Sequence, residues 1–537
     1  MSNDARPDPI IGVNLVIMKT FVTLFTAAIM CAVIAGPAGA DTSGDLFAEG
    51  VRHLEAGRFE EVRDKINSSD HLASLYYFYM GDYRTALSFI KRTDLKETRH
   101  NLYLYLKHLI EMTQEFDEFE TPHFLIRLSK NDYVLKSDIK DTLERVYSVI
   151  GMAFSYFPHD RVIIEIYPDK ESFAFASTLG DKTLERSGAI GICKFNRLMI
   201  VSPSALPQGY RWLDSLCHEY VHFVINRITK NNCPLWLHEG IARYHDTLWR
   251  VDPPVYTTPG SVNLLKDALE KNALISFTRM SPSMVYLENQ DEVALAFAQV
   301  SSAVDFIKSA FPGRFRQLLP EMSQSTPDDA FKKCFGMGLV KFEKEWTAHI
   351  KRQQFTKAEG ALPDRITWEK ADEIEQFVGI SARDFIRLGD RFRMRGNNVA
   401  AMAEYEKGLK IEPFNPVILL KLARTLFSSG DFGRAAELLN ACIEKNPNYV
   451  SAYELLGDYY LKISEWSKSV EMNTHAVSIN PFNPSSHIAL AKARLSLGER
   501  EKALVGFQNA LLLEPGNPFL MRMVRELTTK PDAWGGD

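Results

Sequence analysis

The sequence predicts an α+β domain with a small sheet, joined to an all-α solenoid of tandem helix pairs. Two patterns divide the chain this way. Pro413, Pro447, Pro481 and Pro515 recur at a 34-residue interval near the C-terminus, the period of a two-helix repeat. Between about residues 120 and 352, short β-branched and apolar runs come first and segments of 3.6-residue periodicity follow, which reads as a sheet and then helices. The length of 537 residues fits about three domains better than one core. A net charge of −5 offers no basic field for a phosphate backbone, so nucleic-acid binding is set aside.

Taken in order, residues 1–40 have the layout of a secretory signal peptide. Lys19 precedes an apolar run over residues 21–35, then Pro37 and the small residues Ala38, Gly39 and Ala40, with cleavage expected after Ala40. Asp4 and Asp8 suit the start of such a leader poorly, so translation from Met18 is expected. The alternative is an uncleaved anchor, but the run is shorter than the ~20 residues a span needs. The mature protein is therefore expected to be periplasmic or secreted. No other segment is read as a stable membrane span.

Residues 41–115 read as a helical, repeat-like region with turns at Gly57 and Gly81. Residues 123–128 and 161–168 read as strands around a helix over 137–157, and "GAIGICKFNRLMIVSP" as two strands turning near Asn196. Helices follow to Arg352. Residues 353–380 read as a linker, and residues 382–530 as four repeats. Small residues recur there in register: Gly389, Ala423, Gly457 and Ala491, and Gly408, Cys442, Ala476 and Ala510. They let antiparallel helices approach closely, and with the 34-residue period they resemble the tetratricopeptide (TPR) family. Cys442 is thus a core residue. The other cysteines beyond the leader are Cys193, Cys217, Cys233 and Cys334. An odd, sparse set builds no disulfide framework. One bridge, with Cys217 and Cys233 nearest in sequence, and separate buried thiols both remain open.

The chemistry lies in "CHEYVHFVINRITKNNCPLWLHEGIARYHD", residues 217–246. His218 and His222 are four apart, so a helix puts both imidazoles on one face, with Glu219 beside the first. This H-E-x-x-H arrangement binds Zn²⁺ through the histidines while the glutamate holds the attacking water. Asn231, Asn232 and Pro234 end one helix and begin another. Glu239 then lies 17 residues after His222, where an antiparallel turn can return it to the histidines as a third ligand. His238 and His245 are read as non-ligands, and Tyr220 and Trp236 as packing.

H-E-x-x-H followed by W-L-x-E-G-x-A resembles the gluzincin metallopeptidases, and most of all the bacterial peptidase MA-like domains that occur with TPR arrays. The resemblance covers about residues 120–352 and implies a zincin-like metallopeptidase fold. It implies Glu239 as the third zinc ligand, Asp246 as a group behind the ligands, and an edge strand at 187–192 that pairs with substrate backbone. Relatives of this kind carry a tyrosine or histidine that donates to the oxyanion; the matching position here is Phe297, which cannot donate. Tyr286 is the expected replacement, with Tyr256 the other candidate.

The chain is therefore expected to be a secreted zinc peptidase. Glu219 and Tyr286 are its catalytic groups and His218, His222 and Glu239 its metal ligands. The repeats are expected to bind a protein partner or substrate through their concave face. Two alternatives are a catalytically weakened zincin–TPR scaffold, favoured by Phe297, and a zinc hydrolase acting on a non-peptide bond.

Overall fold

The computed structural model describes residues 42–94, 97–281, 283–370 and 372–529; the expected leader lies outside the described residues. Five strands form one mixed sheet: β1 (Phe116–Glu120), β2 (Phe124–Ser129), β3 (Val162–Tyr167), β4 (Gly191–Lys194) and β5 (Arg197–Val201), in the order β1-β2-β3-β5-β4. β2, β3 and β5 run parallel, and β1 and β4 are antiparallel edges. β3 and β5 are buried at every position, as strands covered on both faces are. β1 reads "FDEFE", and its acids hide it from a search for apolar runs. β4 and β5 join through Phe195 and Asn196, with φ of 54° and 62°, the doubly positive backbone of a tight hairpin.

Among the described residues, five helices precede the sheet: α1 (Thr42–Glu55), α2 (Phe59–Arg63), α3 (Asp70–Tyr79), α4 (Tyr83–Ile90) and α5 (Glu97–Thr113). They are no separate cap. One continuous apolar core runs from Val51 to Ile350, so a division near residue 115 falls inside it. A buried polar knot adds to the join. Glu165 of β3 accepts from the Tyr83 hydroxyl, from Tyr167 at 2.7 Å and from Arg127 at 3.2 Å, with Arg197 alongside. Burial alone would raise the Glu165 pKa, but Arg197 and Arg127 outweigh it and hold the group ionised.

After α6 (Lys136–Phe154), α7 (Lys170–Ser177) and α8 (Asp181–Ser187) come the two helices of the site, α9 (Trp212–Thr229) and α10 (Leu235–His245). α11 (Pro259–Glu270), α12 (Gln290–Ala310), α13 (Phe315–Met322), α14 (Pro327–Phe335) and α15 (Leu339–Arg352) complete this half. α12 is long and apolar enough to cross a membrane, which the sequence reading overlooked. Here it is a core helix, with Ala296, Val300 and Val304 fully buried.

Residues 353–370 are not a free linker. They form a strap across the domain, held where Asn263 pairs with the backbone of Ala358 at 2.8 and 2.9 Å and where Arg365 meets Asp291 at 2.7 Å. A short helix, α16 (Glu373–Phe377), leads into the solenoid. Its pairs are α17 (Ile380–Met394) with α18 (Asn398–Ile411), α19 (Pro416–Ser429) with α20 (Phe432–Lys445), α21 (Val450–Lys462) with α22 (Trp466–Ile479), and α23 (Pro484–Ser496) with α24 (Arg500–Leu513). α25 (Pro518–Thr529) closes the stack. The small positions sit between helices: a Cβ on Gly389 would lie 2.5 Å from the Tyr405 ring, and Cys442 is fully buried.

The solenoid docks onto the start of α9. Arg211 donates to Asn448 Oδ1 at 2.7 Å and to the Pro447 carbonyl at 2.8 Å. The Tyr210 backbone N–H donates to the Ile479 carbonyl at 2.9 Å. Gly209, at φ 66°, has the Ile479 oxygen only 2.2 Å from where a Cβ would stand, so a larger residue there would push the solenoid away.

Candidate metal centre

α9 is buried around nearly its whole circumference, so its polar residues need partners. The helix ends on Lys230 and Asn231, both left-handed at φ 54° and 61°. Pro234 then starts α10, which turns back along α9. Gly240 lets α10 touch α12, since a Cβ there would lie 2.6 Å from the Val300 carbonyl.

This geometry brings His218, His222 and Glu239 together. Among the described residues they form the one group whose ligand atoms, all within 4.8 Å of one another, could hold a metal ion. His218 Nε2 and His222 Nε2 are 3.0 Å apart, and Glu239 Oε2 is 3.5 and 3.3 Å from them. The point equidistant from three atoms so spaced is about 1.9 Å from each, near the ~2.0–2.2 Å bonds that zinc makes to nitrogen and carboxylate oxygen. Glu219 Oε2 is buried without a partner, as expected of a group that waits for water. Two imidazoles and a carboxylate are a donor set of catalytic zinc sites, so the residues fit the ion.

The charges are consistent with a cation site. Burial works against the charged form of His218, yet the Asp246 and Glu239 carboxylates facing it raise its pKa to about 10. Burial likewise opposes ionisation of Glu239, but His222 and His218 outweigh it and push its pKa well down. Glu219 goes the other way: burial raises it, although His222, His218 and the backbone N–H of Cys193 pull it down. A raised carboxylate is a better proton acceptor. Asp246 faces His218 Nδ1 at 3.9 Å and is held by Arg243 at 2.8 Å, the position of a group that orients a ligand from behind.

The remaining candidates are elsewhere. His238 stacks on His222 at 4.4 Å and bonds Asn226 at 2.9 Å; burial drives its pKa to about 3. His245 faces the core, bonded to the Ile241 carbonyl. Phe297 lies beside the centre, its ring 6.0 Å from that of His218. Tyr286 does not reach it. The turn that carries Tyr286 is tied to α8 by Arg186 donating to the Val285 carbonyl at 3.1 Å, and its side chain stands 64% exposed. No hydrogen bond or ring contact among the described residues joins Tyr286 to the cluster. Tyr256 stacks on Tyr244 at 4.7 Å and bonds Asp305. Tyr210 is close enough to feel the charge of Glu219, but its hydroxyl donates to the Val201 carbonyl. Cys217 and Cys233 are separate free thiols.

The β4 edge begins later than the sequence suggests. Ser187 ends α8, and the strand is Gly191–Lys194. Gly191 is the residue that sequence reading passed over. A Cβ there would lie 2.7 Å from Glu219 Oε1, so glycine lets the strand lie this close to Glu219. A lone glycine inside a strand pattern is the signal that could have found it. Asn226 lies four residues after His222 on the same helix face, and that i, i+4 spacing is the signal that could have found it.

Residues 158–352 match the family model described as the Peptidase MA superfamily. The chain carries a Peptidase MA superfamily domain. Residues 392–458 match the tetratricopeptide repeat, so this domain is followed by a TPR region. The chain is similar to "Protein CTR9 homolog" of Arabidopsis thaliana, 25% identical over 313 residues, and to "TPR repeat-containing protein YpiA" of Bacillus subtilis (strain 168), 24% identical over 161 residues. These stretches are 51% and 30% of this chain, and they span 27% and 37% of those relatives. Among solved structures, "MamA RS-1 ArsTM double mutant" matches at 21% identity and a TM-score of 0.28, over 29% of this chain and 87% of that one. A thermophilic TPR protein of Thermus thermophilus matches at 26% and 0.24, over 27% and 80%. The Peptidase MA domain supports a protease-like unit, and the repeats support a module for protein–protein interaction.

Proposed function

We propose that the chain is a zinc-dependent peptidase of the gluzincin type, acting outside the cytoplasm behind a cleaved leader, with its repeats holding a protein partner or substrate. One observation carries the reading: the three ligand atoms converge beside Glu219, directly under the open edge of β4. Zinc in this set would polarise the scissile carbonyl and lower the pKa of its water. Glu219 accepts the water's proton and delivers it to the leaving nitrogen. The backbone of β4 aligns the substrate by adding a strand. His238 packs on His222 and keeps its ring in place, and Asp246 does the same for His218.

Elemental analysis and peptide turnover test this together. His222→Ala should lose zinc and activity. Glu219→Gln should keep zinc and lose activity. Full turnover by Glu219→Gln would remove Glu219 as the base and overturn the mechanism.

Phe297 favours a second reading, a weakened zincin–TPR scaffold. It occupies the place beside His218 with a ring that cannot donate, and the nearby Tyr210 hydroxyl is committed to the Val201 carbonyl. A missing oxyanion donor costs ~10²–10³ in rate. Zinc bound stoichiometrically without measurable hydrolysis would favour this reading.

A further inference from the structure

The β4 edge is short. Ile190 gives its carbonyl to Val201 N–H, and in an antiparallel pair the residues facing the partner alternate with those facing away. Ile192 and Lys194 therefore face β5, while Gly191 and Cys193 face the cleft. Upstream, the Ala189 N–H is taken by Ser187 Oγ at 3.2 Å. Downstream, Phe195 and Asn196 turn the chain back. An incoming backbone finds an edge of about four residues, ~13 Å, on which the Cys193 N–H is already turned to Glu219.

Other elements are tied together at both ends of this edge. At the hairpin end, Arg227 of α9 donates to Asn196 Oδ1 at 2.6 Å and to the Gly57 carbonyl. The zinc helix, the hairpin turn and the N-terminal helices are thus joined at one guanidinium. Behind lies a cavity of about 330 Å³, whose far wall includes Leu54, Gly57 and Phe59. At the other end, Gln290 opens α12. Its side chain donates to the carbonyls of Glu185 and Ile366, both at 3.0 Å, and accepts from Ile366 N–H at 2.8 Å. Gly188 sits against it, where a Cβ would be 3.0 Å from Gln290 Oε1. The strap therefore crosses between the approach to β4 and the helix that carries Phe297. Residues 54–59 and the strap both lie outside the matched 158–352.

We infer that the cleft is a trough closed at both ends and admits short peptides of about four to six residues, not long chains. This rests on the peptidase reading, and it is specific to segments this chain adds to the domain. A peptide of that length fills the edge and stops at the Arg227–Asn196 tie. A longer chain would have to pass the Arg227–Asn196 tie or displace Ile366 from Gln290.

The test uses the full-length, zinc-loaded protein and peptides sharing one cleavable centre, at total lengths of about four, six, ten and twenty residues. kcat/KM should peak near six and fall at least about tenfold by twenty. A flat or rising profile would overturn the inference. Binding of the same series to the zinc-loaded Glu219→Gln protein, read by calorimetry, separates this from the peptidase reading. If nothing is cleaved, that reading fails; tighter binding of six than of twenty residues still supports the closed trough, and length-independent binding overturns it. In Gln290→Ala the ratio of twenty- to six-residue kcat/KM should rise at least about fivefold as the strap is freed. An unchanged ratio would remove the strap as the closure.

Discussion

Arg211→Ala should loosen the solenoid from α9. Arg211 precedes α9 and makes two short charge-assisted bonds to the solenoid, at 2.7 Å to Asn448 and 2.8 Å to the Pro447 carbonyl, with a third, weaker contact to Ser478 at 3.4 Å. Burial holds the Arg211 pKa below that of a free guanidinium, so the cation depends on these acceptors. Bonds to charged groups contribute about 1.5–3 kcal/mol each. Loss of the two short ones removes about 3–6 kcal/mol from the junction, an upper figure because the Tyr210–Ile479 bond remains. At about 1.4 kcal/mol per decade this is ~10²–10⁴ in local opening. Hydrogen exchange reads it: amides at 446–450, 478–480 and the first turn of α9 should exchange faster by up to that factor. Amides of α12 should not change. Zinc content should be unaffected, since His218 lies two turns further along the helix. Unchanged exchange at all three junction segments would refute the claim that Arg211 holds the halves together. A rise spread evenly over the chain would refute a local role.

Three further outcomes follow from the geometry. Phe297→Tyr should raise kcat, by up to ~10²-fold if its hydroxyl meets the developing oxyanion, whereas Tyr286→Phe should leave kcat within about twofold of wild type, because Tyr286 faces solvent; a large loss from Tyr286→Phe in steady-state kinetics would restore it as the donor. Asp132 is buried and its pKa is raised to about 6 by burial, against the hydroxyls of Ser202 and Ser204; the native state therefore holds its proton more tightly than the unfolded one, and stability falls as pH rises from about 4 through 6, by about 3 kcal/mol at most. Relative to wild type, Asp132→Asn should gain stability over that window in denaturant titrations, and parallel curves at the two pH values would rule this out. Glu165→Gln leaves Arg127 and Arg197 facing a neutral group in the core and should cost about 3–5 kcal/mol, read as a fall in denaturation midpoint; a loss under about 1 kcal/mol would mean the Tyr83–Glu165 knot does not tie the N-terminal helices to the sheet.

The legible parts were those in which one local rule repeats. The i, i+4 spacing of His218 and His222 sets a shared helix face by backbone geometry alone. The 34-residue proline period recurs because each repeat packs only on its neighbours. The hairpin at Asn196 lies between two apolar runs and is visible from turn chemistry. β1 escaped because an edge strand rich in acids has no apolar signature. The helices over 42–113 were seen as helices, but not as part of the core that includes the sheet.

By itself, the sequence determined the four polar groups of the candidate centre, the small sheet followed by helices, and the repeats, since all depend on spacings within about 34 residues. Only the tertiary structure decided which distant segments meet. It set Glu165 among Tyr83, Arg127 and Arg197, turned Tyr286 to solvent, laid Ile366 on Gln290 and docked Asn448 on Arg211. These pairs are 32 to 237 residues apart, and each needs one directional contact between side chains whose types occur throughout the chain. Periodicity reports which face of an element is apolar; it carries no label for which polar group, far along the chain, will arrive opposite it.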